Sequence, residues 1–194
     1  MKRATHTPQF GFSLIELMVT LTVATILLST AVPGFRQLIQ NNKVATDVNE
    51  FVAALHLARS EAIKRGVRVS VCRSTTQTSC ATTGGWEQGW IVFVDDKATA
   101  GTVETGEEIL RVHGALTSGT TLRGNNNVQA RVSFLASGFS GGTNGSIILC
   151  DGRVANFSTD KKFARVGIIS TLGRVRVVPG DHADVPVSLT SCTP

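Results

Sequence analysis

The chain has 194 residues, 42% of them apolar, with a formal net charge of +5 and four cysteines. That length leaves room for one long element plus one globular domain of ordinary size. So mild a charge does not by itself announce nucleic acid, and any basic site has to come from local clustering.

Residues 1–11 are a short leader that carries Lys2 and Arg3 and no acid. Residues 12–32, FSLIELMVTLTVATILLSTAV, are apolar or small except for one carboxylate, Glu16. As a helix they extend roughly 30 Å, the thickness of a bilayer's hydrocarbon core, so the chain can span a membrane once. The basic leader stays inside and places the rest of the chain outside. A carboxylate in a spanning helix needs a partner. If the leader is cut after Gly11, the new amine on Phe12 lies one helical turn before Glu16, whose charge offsets both the amine and the positive end of the helix dipole. Two other readings compete. An ordinary signal peptide cut after Ala31 has small residues at Ser29 and Ala31, but its apolar run is too long and it carries Glu16. A plain anchor leaves Glu16 unexplained.

A glycine, a phenylalanine, a Glu at the fifth place of the new chain and then an apolar run resemble the prepilin signal of type IV pilins and type II secretion pseudopilins. The resemblance implies a prepilin peptidase that cuts between Gly11 and Phe12, N-methylation of Phe12, and use of Glu16 to meet the Phe12 amine of a neighbouring subunit during filament assembly. It implies a single-pass inner-membrane protein with its C-terminal domain in the periplasm, later carried into a pilus beside other pilins. The expected division is a leader at 1–11, a filament-core helix at 12–34 and a globular domain at 35–194.

Pro33 and Gly34 are expected to kink or interrupt the helix. The helical pattern then resumes over residues 35–65. An apolar stripe runs through Phe35, Leu38, Ile39, Ala45, Val48, Phe51, Val52, Leu55, Ala58, Ala62 and Ile63, opposite polar residues that include Asp47, Glu50 and Arg59, and Gly66 is the expected stop. After Gly66 the period becomes alternating. Strands are expected at 67–72, 90–94, 108–112, 131–135, 146–150, 154–157, 165–170 and 174–178, separated by Gly, Asn, Ser and Thr clusters. The fold class is therefore α+β, a long N-terminal helix packed on an antiparallel sheet or sandwich. This order, with WEQGWIVFVDD from Trp86, VSFLASG from Val132, IILCD from Ile147 and GRVRVV from Gly173, resembles the GspH/FimT group of minor pilins.

All four cysteines fall on the outer side, where disulfides persist. The favoured pairing is Cys72 with Cys80 and Cys150 with Cys192, contributing roughly 2.5 and roughly 4 kcal/mol on the loop-entropy model. Free thiols or zinc are the alternatives, and no C-x-x-C pair supports zinc.

No cofactor and no catalytic activity are indicated. GFSGG, from Gly138, matches the nucleophile-elbow pattern but lacks the helix that must follow it, so it reads as a flexible turn. Asp181, His182 and Asp184 read as a solvated cluster sooner than a metal site. Asp95 and Asp96 end a strand and are only weak calcium candidates. The remaining candidate is Gly173, Arg174, Val175, Arg176. In a strand both guanidiniums lie on one face about 7 Å apart while Val175 and Val177 face the core, and Gly173 permits a tight turn or a close approach. Such a pair suits DNA phosphates, and it also suits plain protection of an edge strand. A Gly-Arg-x-Arg sequence near the C-terminus carries the resemblance to FimT-type minor pilins, which implies DNA binding for uptake, with Lys161, Lys162 and Arg165 extending the patch. The alternative is a purely structural subunit that initiates or caps a pilus or a secretion pseudopilus.

Overall fold

The computed structural model describes residues 11–116, 119–125, 127–154, 157–185 and 192. The expected leader, apart from Gly11, lies outside the described residues. The chain divides into two compact units, Met1–Gln40 and Asn41–Pro194. Phe35, Leu38 and Ile39 are exposed, and the first buried side chain is Val44.

Helix α1, Leu14–Arg65, passes through both units and includes Pro33, so the expected interruption does not occur. A proline inside a helix removes one backbone hydrogen bond, and the turns on either side continue the helix. The part of α1 in the first unit is apolar and exposed, and the helix is long and apolar enough to cross a membrane. In the second unit Val44, Val48, Phe51, Leu55, Ala58 and Ala62 recur at steps of four and three and are buried, the geometry of a core-facing stripe. Three positions of this unit differ from the sequence expectation, the first being Ala45, expected on the stripe and exposed. Ile63 lies beyond the stripe and is exposed, while Asp47, expected on the polar face, sits next to Val48 and is 6% exposed. Gly66 ends the helix at φ +68° and donates its N–H to Ala62 O, a left-handed cap that glycine adopts without strain.

Two four-stranded antiparallel sheets follow. The first has the order β3-β2-β1-β5, with β1 Val69–Arg73, β2 Trp90–Val94, β3 Ile109–His113 and β5 Arg131–Phe134. The second has the order β4-β6-β7-β8, with β4 Thr121–Gly124, β6 Gly145–Cys150, β7 Arg165–Ile169 and β8 Val175–Pro179. One apolar cluster joins the α1 stripe to both sheets, taking in Val69, Val71, Trp86, Trp90, Ile147, Leu149 and Ile169. Phe51 is its centre, edge-on to Trp86 and to Trp90 with ring centroids 5.1 and 5.2 Å away. A smaller cluster on the opposite face of the second sheet contains Ile148, Val166, Val178 and Phe157.

Seven of the eight expected strands have counterparts; the one at 154–157 does not. Val154 closes a turn on Asp151 O, Phe157 opens a short helix α2, Phe157–Asp160, and residues 155 and 156 lie outside the described set. In its place β4 supplies the edge of the second sheet. Only Leu122 of β4 is buried, so the strand leaves no alternating pattern to read. Cys72 is bonded to Cys80 and Cys150 to Cys192.

Candidate nucleic-acid interface

β7 and β8 are joined by a tight turn over residues 170–174. Ser170 N–H donates to Arg174 O, Gly173 N–H to Ser170 O, and Arg174 N–H to Ser170 Oγ. Gly173 has φ +73°, and a Cβ there would collide with Gly138 O. The glycine is therefore required by the packing of two turns on each other, which favours the tight-turn half of the expectation. Arg59 of α1 fastens both turns, its Nε donating to Gly138 O at 2.9 Å and its Nη2 to Leu172 O at 3.0 Å. GFSGG lies in the same junction and is a turn tied to its neighbours by hydrogen bonds. Ser140 is buried, and its Oγ donates to Ser170 O and Thr171 O.

This junction sets the direction of the two arginines. Arg174 precedes β8 and Arg176 lies within it; with Ile168 and Ser170 they line one open depression of about 340 Å³. Register explains the shared face: Arg176 pairs with Ile168, and side chains of paired residues point the same way. Val175 packs against the large cluster as expected. Val177 does not reach a core and is 37% exposed, because β8 has a neighbour on one side only and the partner position there is Gly167.

Of the residues expected to extend the patch, Arg165 does not join it. It pairs with Leu149 and Pro179, one step out of phase with the Ile168–Arg176 pair, and so points to the opposite face. Its Nη1 donates to Lys162 O and Ala164 O. Lys161 and Lys162 occupy a 3₁₀ turn, Lys161–Phe163, and are exposed. Lys161 sits 5.8 Å from the Phe157 ring and Lys162 5.0 Å from the Phe163 ring. That turn touches Gly180, four residues past Arg176, so the turn that carries the lysines lies about 13 Å further on in the direction of β8.

Arg176 has a partner that no local pattern announces. Arg176 Nη2 forms an ion pair with Asp184, and this guanidinium holds the Asp184 carboxyl below its ordinary value. His182 Nδ1 is 3.6 Å from the same carboxylate. Of the residues 181, 182 and 184, Asp184 is thus the counter-charge to Arg176. Arg174 has no ion pair among the described residues. Asp95 is also engaged: fully buried, it accepts from Ser70 Oγ, Arg68 Nη2 and Gly101 N–H. Among the described residues no group of three or more His, Cys, Asp or Glu is placed to hold a metal.

Residues 47–173 match the family described as type II transport protein GspH, and residues 7–32 match the prokaryotic N-terminal methylation motif. No curated protein sequence matches the chain. Among solved structures, the fold is similar to the type IV minor pilin FimU of Pseudomonas aeruginosa PAO1, at 21% identity and a TM-score of 0.55, over 73% of this chain and 92% of that one. It is also similar to the minor pseudopilin EpsH of the type 2 secretion system of Vibrio cholerae, at 15% identity and a TM-score of 0.50, over 72% of this chain and 99% of that one.

Proposed function

The chain belongs to the GspH family, and from that premise we propose a type IV pilus subunit that binds extracellular DNA without sequence preference, through Arg174 and Arg176, for DNA uptake. It is a minor pilin or pseudopilin, a protein that assembles with other pilins through an N-terminal helix. On this reading a prepilin peptidase removes residues 1–11, Phe12 is N-methylated, and Glu16, in the first turn of α1, meets the Phe12 amine of the next subunit. The helix sits in the inner membrane with the sheets in the periplasm until assembly carries the subunit to the pilus surface. N-terminal sequencing of the mature protein should begin at N-methylated Phe12; a start at Val32 removes the processing scheme.

One observation carries the DNA reading: Arg174 and Arg176 stand side by side over an open depression at the edge of a sheet. Each guanidinium presents a fork of donors to a phosphate, and a backbone contact of this kind positions DNA without reading its bases. Lys161 and Lys162, further along β8, fall within reach of a following phosphate. Fluorescence titration of the detergent-solubilised chain with a random duplex tests it. Affinity should fall linearly in log–log form with salt, and the Arg174→Gln, Arg176→Gln variant should lose at least about tenfold and show a slope shallower by about 2. Equal binding by wild type and variant sinks the arginine site.

A second reading is a structural subunit that initiates or caps a pilus or a secretion pseudopilus and binds no DNA. The Arg176–Asp184 ion pair favours it, since a guanidinium already paired protects an edge strand as well as it awaits a ligand.

A further inference from the structure

Far from β8 in the sheet order, a second pair of arginines converges on a cavity between the end of β1 and β4. Arg73, the last residue of β1, is 6% exposed. Its Nε donates to Ala81 O, its Nη1 to Gly84 O and Gln129 O, and its Nη2 to Thr82 O. Among the described residues it has no carboxylate partner. Arg123 of β4 reaches the same cavity. Its Nη1 pairs with Glu87, which also accepts Leu122 N–H at 3.2 Å, and its Nε is buried with no partner among the described residues. Two guanidiniums are therefore balanced by one carboxylate.

The space is there as well. The cavity has about 400 Å³ and is lined by Arg73, Thr82, Gly84, Gly85, Trp86 and Arg123, together with other residues of the same loops, within the size range of small-ligand sites. Gly85 keeps it clear, because a Cβ there would collide with Arg123 Nη1 and Glu87 Oε2. A clasp that holds residues 81–84 beside Gln129 explains the four carbonyl bonds of Arg73. It does not explain a second guanidinium beside it. Burial first, and then the like charge of Arg123, pull the Arg73 guanidinium below its ordinary value, with Glu87 opposing. Buried charge is ordinarily matched by opposite charge, and a planar fork fits a carboxylate or a phosphate.

We propose that this cavity is a binding site for a small oxyanion, a carboxylate or phosphate group, gripped by Arg123 and neutralising the uncompensated charge of Arg73. It is independent of the DNA reading, and the test keeps the two apart by using the full chain, in detergent, with Arg174→Gln and Arg176→Gln already in place. Thermal unfolding is followed against sodium phosphate, sodium acetate and sodium chloride at equal ionic strength. Phosphate or acetate should raise the midpoint saturably at millimolar concentration while chloride does not, as expected for a ligand that binds only the folded state. The tighter of the two assigns the oxyanion. Adding Arg123→Gln should weaken that binding at least about tenfold, whereas adding Glu87→Gln, which removes the resident carboxylate, should strengthen it several-fold. Should Arg123→Gln fail to fold, the Gly84 and Gly85 amide resonances serve in its place and should move on titration with the tighter anion. The proposal is overturned if neither oxyanion exceeds chloride, if binding is unchanged in both Arg123→Gln and Glu87→Gln, or if those amides stay still.

Discussion

Along α1 from Val44 to Ala62 the inward side chains are carbon, apart from Asp47, and they are enclosed by both sheets. Along β8 the alternation is looser: Val175 and Val178 are covered, Val177 is not, and charge stands open at Arg174 and Arg176. The covered interior has two sheets and a helix to supply neighbours, whereas the edge has one strand. What the contrast teaches is a division of labour. Hydrophobic burial fixes the fold in the interior, where each methylene removed leaves a gap. The edge is held by a few polar links, so its charges can change without unfolding the domain.

The sharpest way to break the comparison is Phe51→Ala. Phe51 meets both Trp86 and Trp90 edge-on at the centre of the large cluster, and its removal should cost about 3–5 kcal/mol in urea unfolding of the domain. The same truncation at Leu21, an exposed residue in the other unit of the chain, should leave that transition where it was. A loss at Phe51 of under about 1 kcal/mol would mean that the interior is not the stabilising region.

Much of the interior was legible because it obeys a period. The stripe in α1 repeats at 3.6 residues and most strands alternate at 2, and each period follows from backbone geometry alone. What failed to show was what depends on neighbours brought from elsewhere. β4 has one buried residue and no pattern, so only its pairing with β6 identifies it. Asp47 looked like a surface residue because a polar type on the flank of a stripe usually is one. At the candidate interface the alternation of Arg174 and Arg176 was readable, and so was a tight turn at Gly173. The partner Asp184 and the reversal of Arg165 were not: the first is a contact across a loop, and the second depends on the register of three strands. The Arg73–Arg123 cavity left no local motif, since its parts are about 50 residues apart in sequence.

Between interior and edge lies the glycine junction, and Gly173→Ala tests whether the two regions are mechanically linked. The substitution places a Cβ against Gly138 O at a left-handed φ, which should cost on the order of 1–3 kcal/mol. It should also weaken DNA binding although both arginines remain, because the turn that aims them is displaced. Undiminished binding would show that the edge orients itself without the junction.

Asp47 is the charge inside the carbon interior. Burial holds its carboxyl above the ordinary value, and Oδ2 has no hydrogen-bond partner among the described residues. Because the folded chain binds this proton more tightly than the unfolded chain, the ionised form is a cost at neutral pH that disappears as pH falls through the raised folded-state value. Asp47→Asn should therefore stabilise the domain by about 1 kcal/mol at pH 7, with the advantage shrinking in acid. Urea midpoints measured from pH 4 to pH 8 for both proteins check the sign.

The smallest effect is expected at the edge itself, where Asp184→Asn removes the counter-charge of Arg176. Both side chains are about half exposed, so the ion pair should contribute little to stability and the unfolding transition should not move. Binding is a different matter, because a freed guanidinium faces the same depression as Arg174. DNA affinity at low salt should rise by roughly two- to fivefold. The pH dependence runs in the opposite sense to that of Asp47. Arg176 holds Asp184 below its ordinary value, so the pair persists through neutral pH and is released only as pH falls through that lowered value. Wild type should approach the binding of Asp184→Asn only there, in strong acid. If Asp184→Asn instead lowers stability and leaves DNA affinity unchanged, the edge belongs with the interior as structure, and the second reading of the subunit gains over the first.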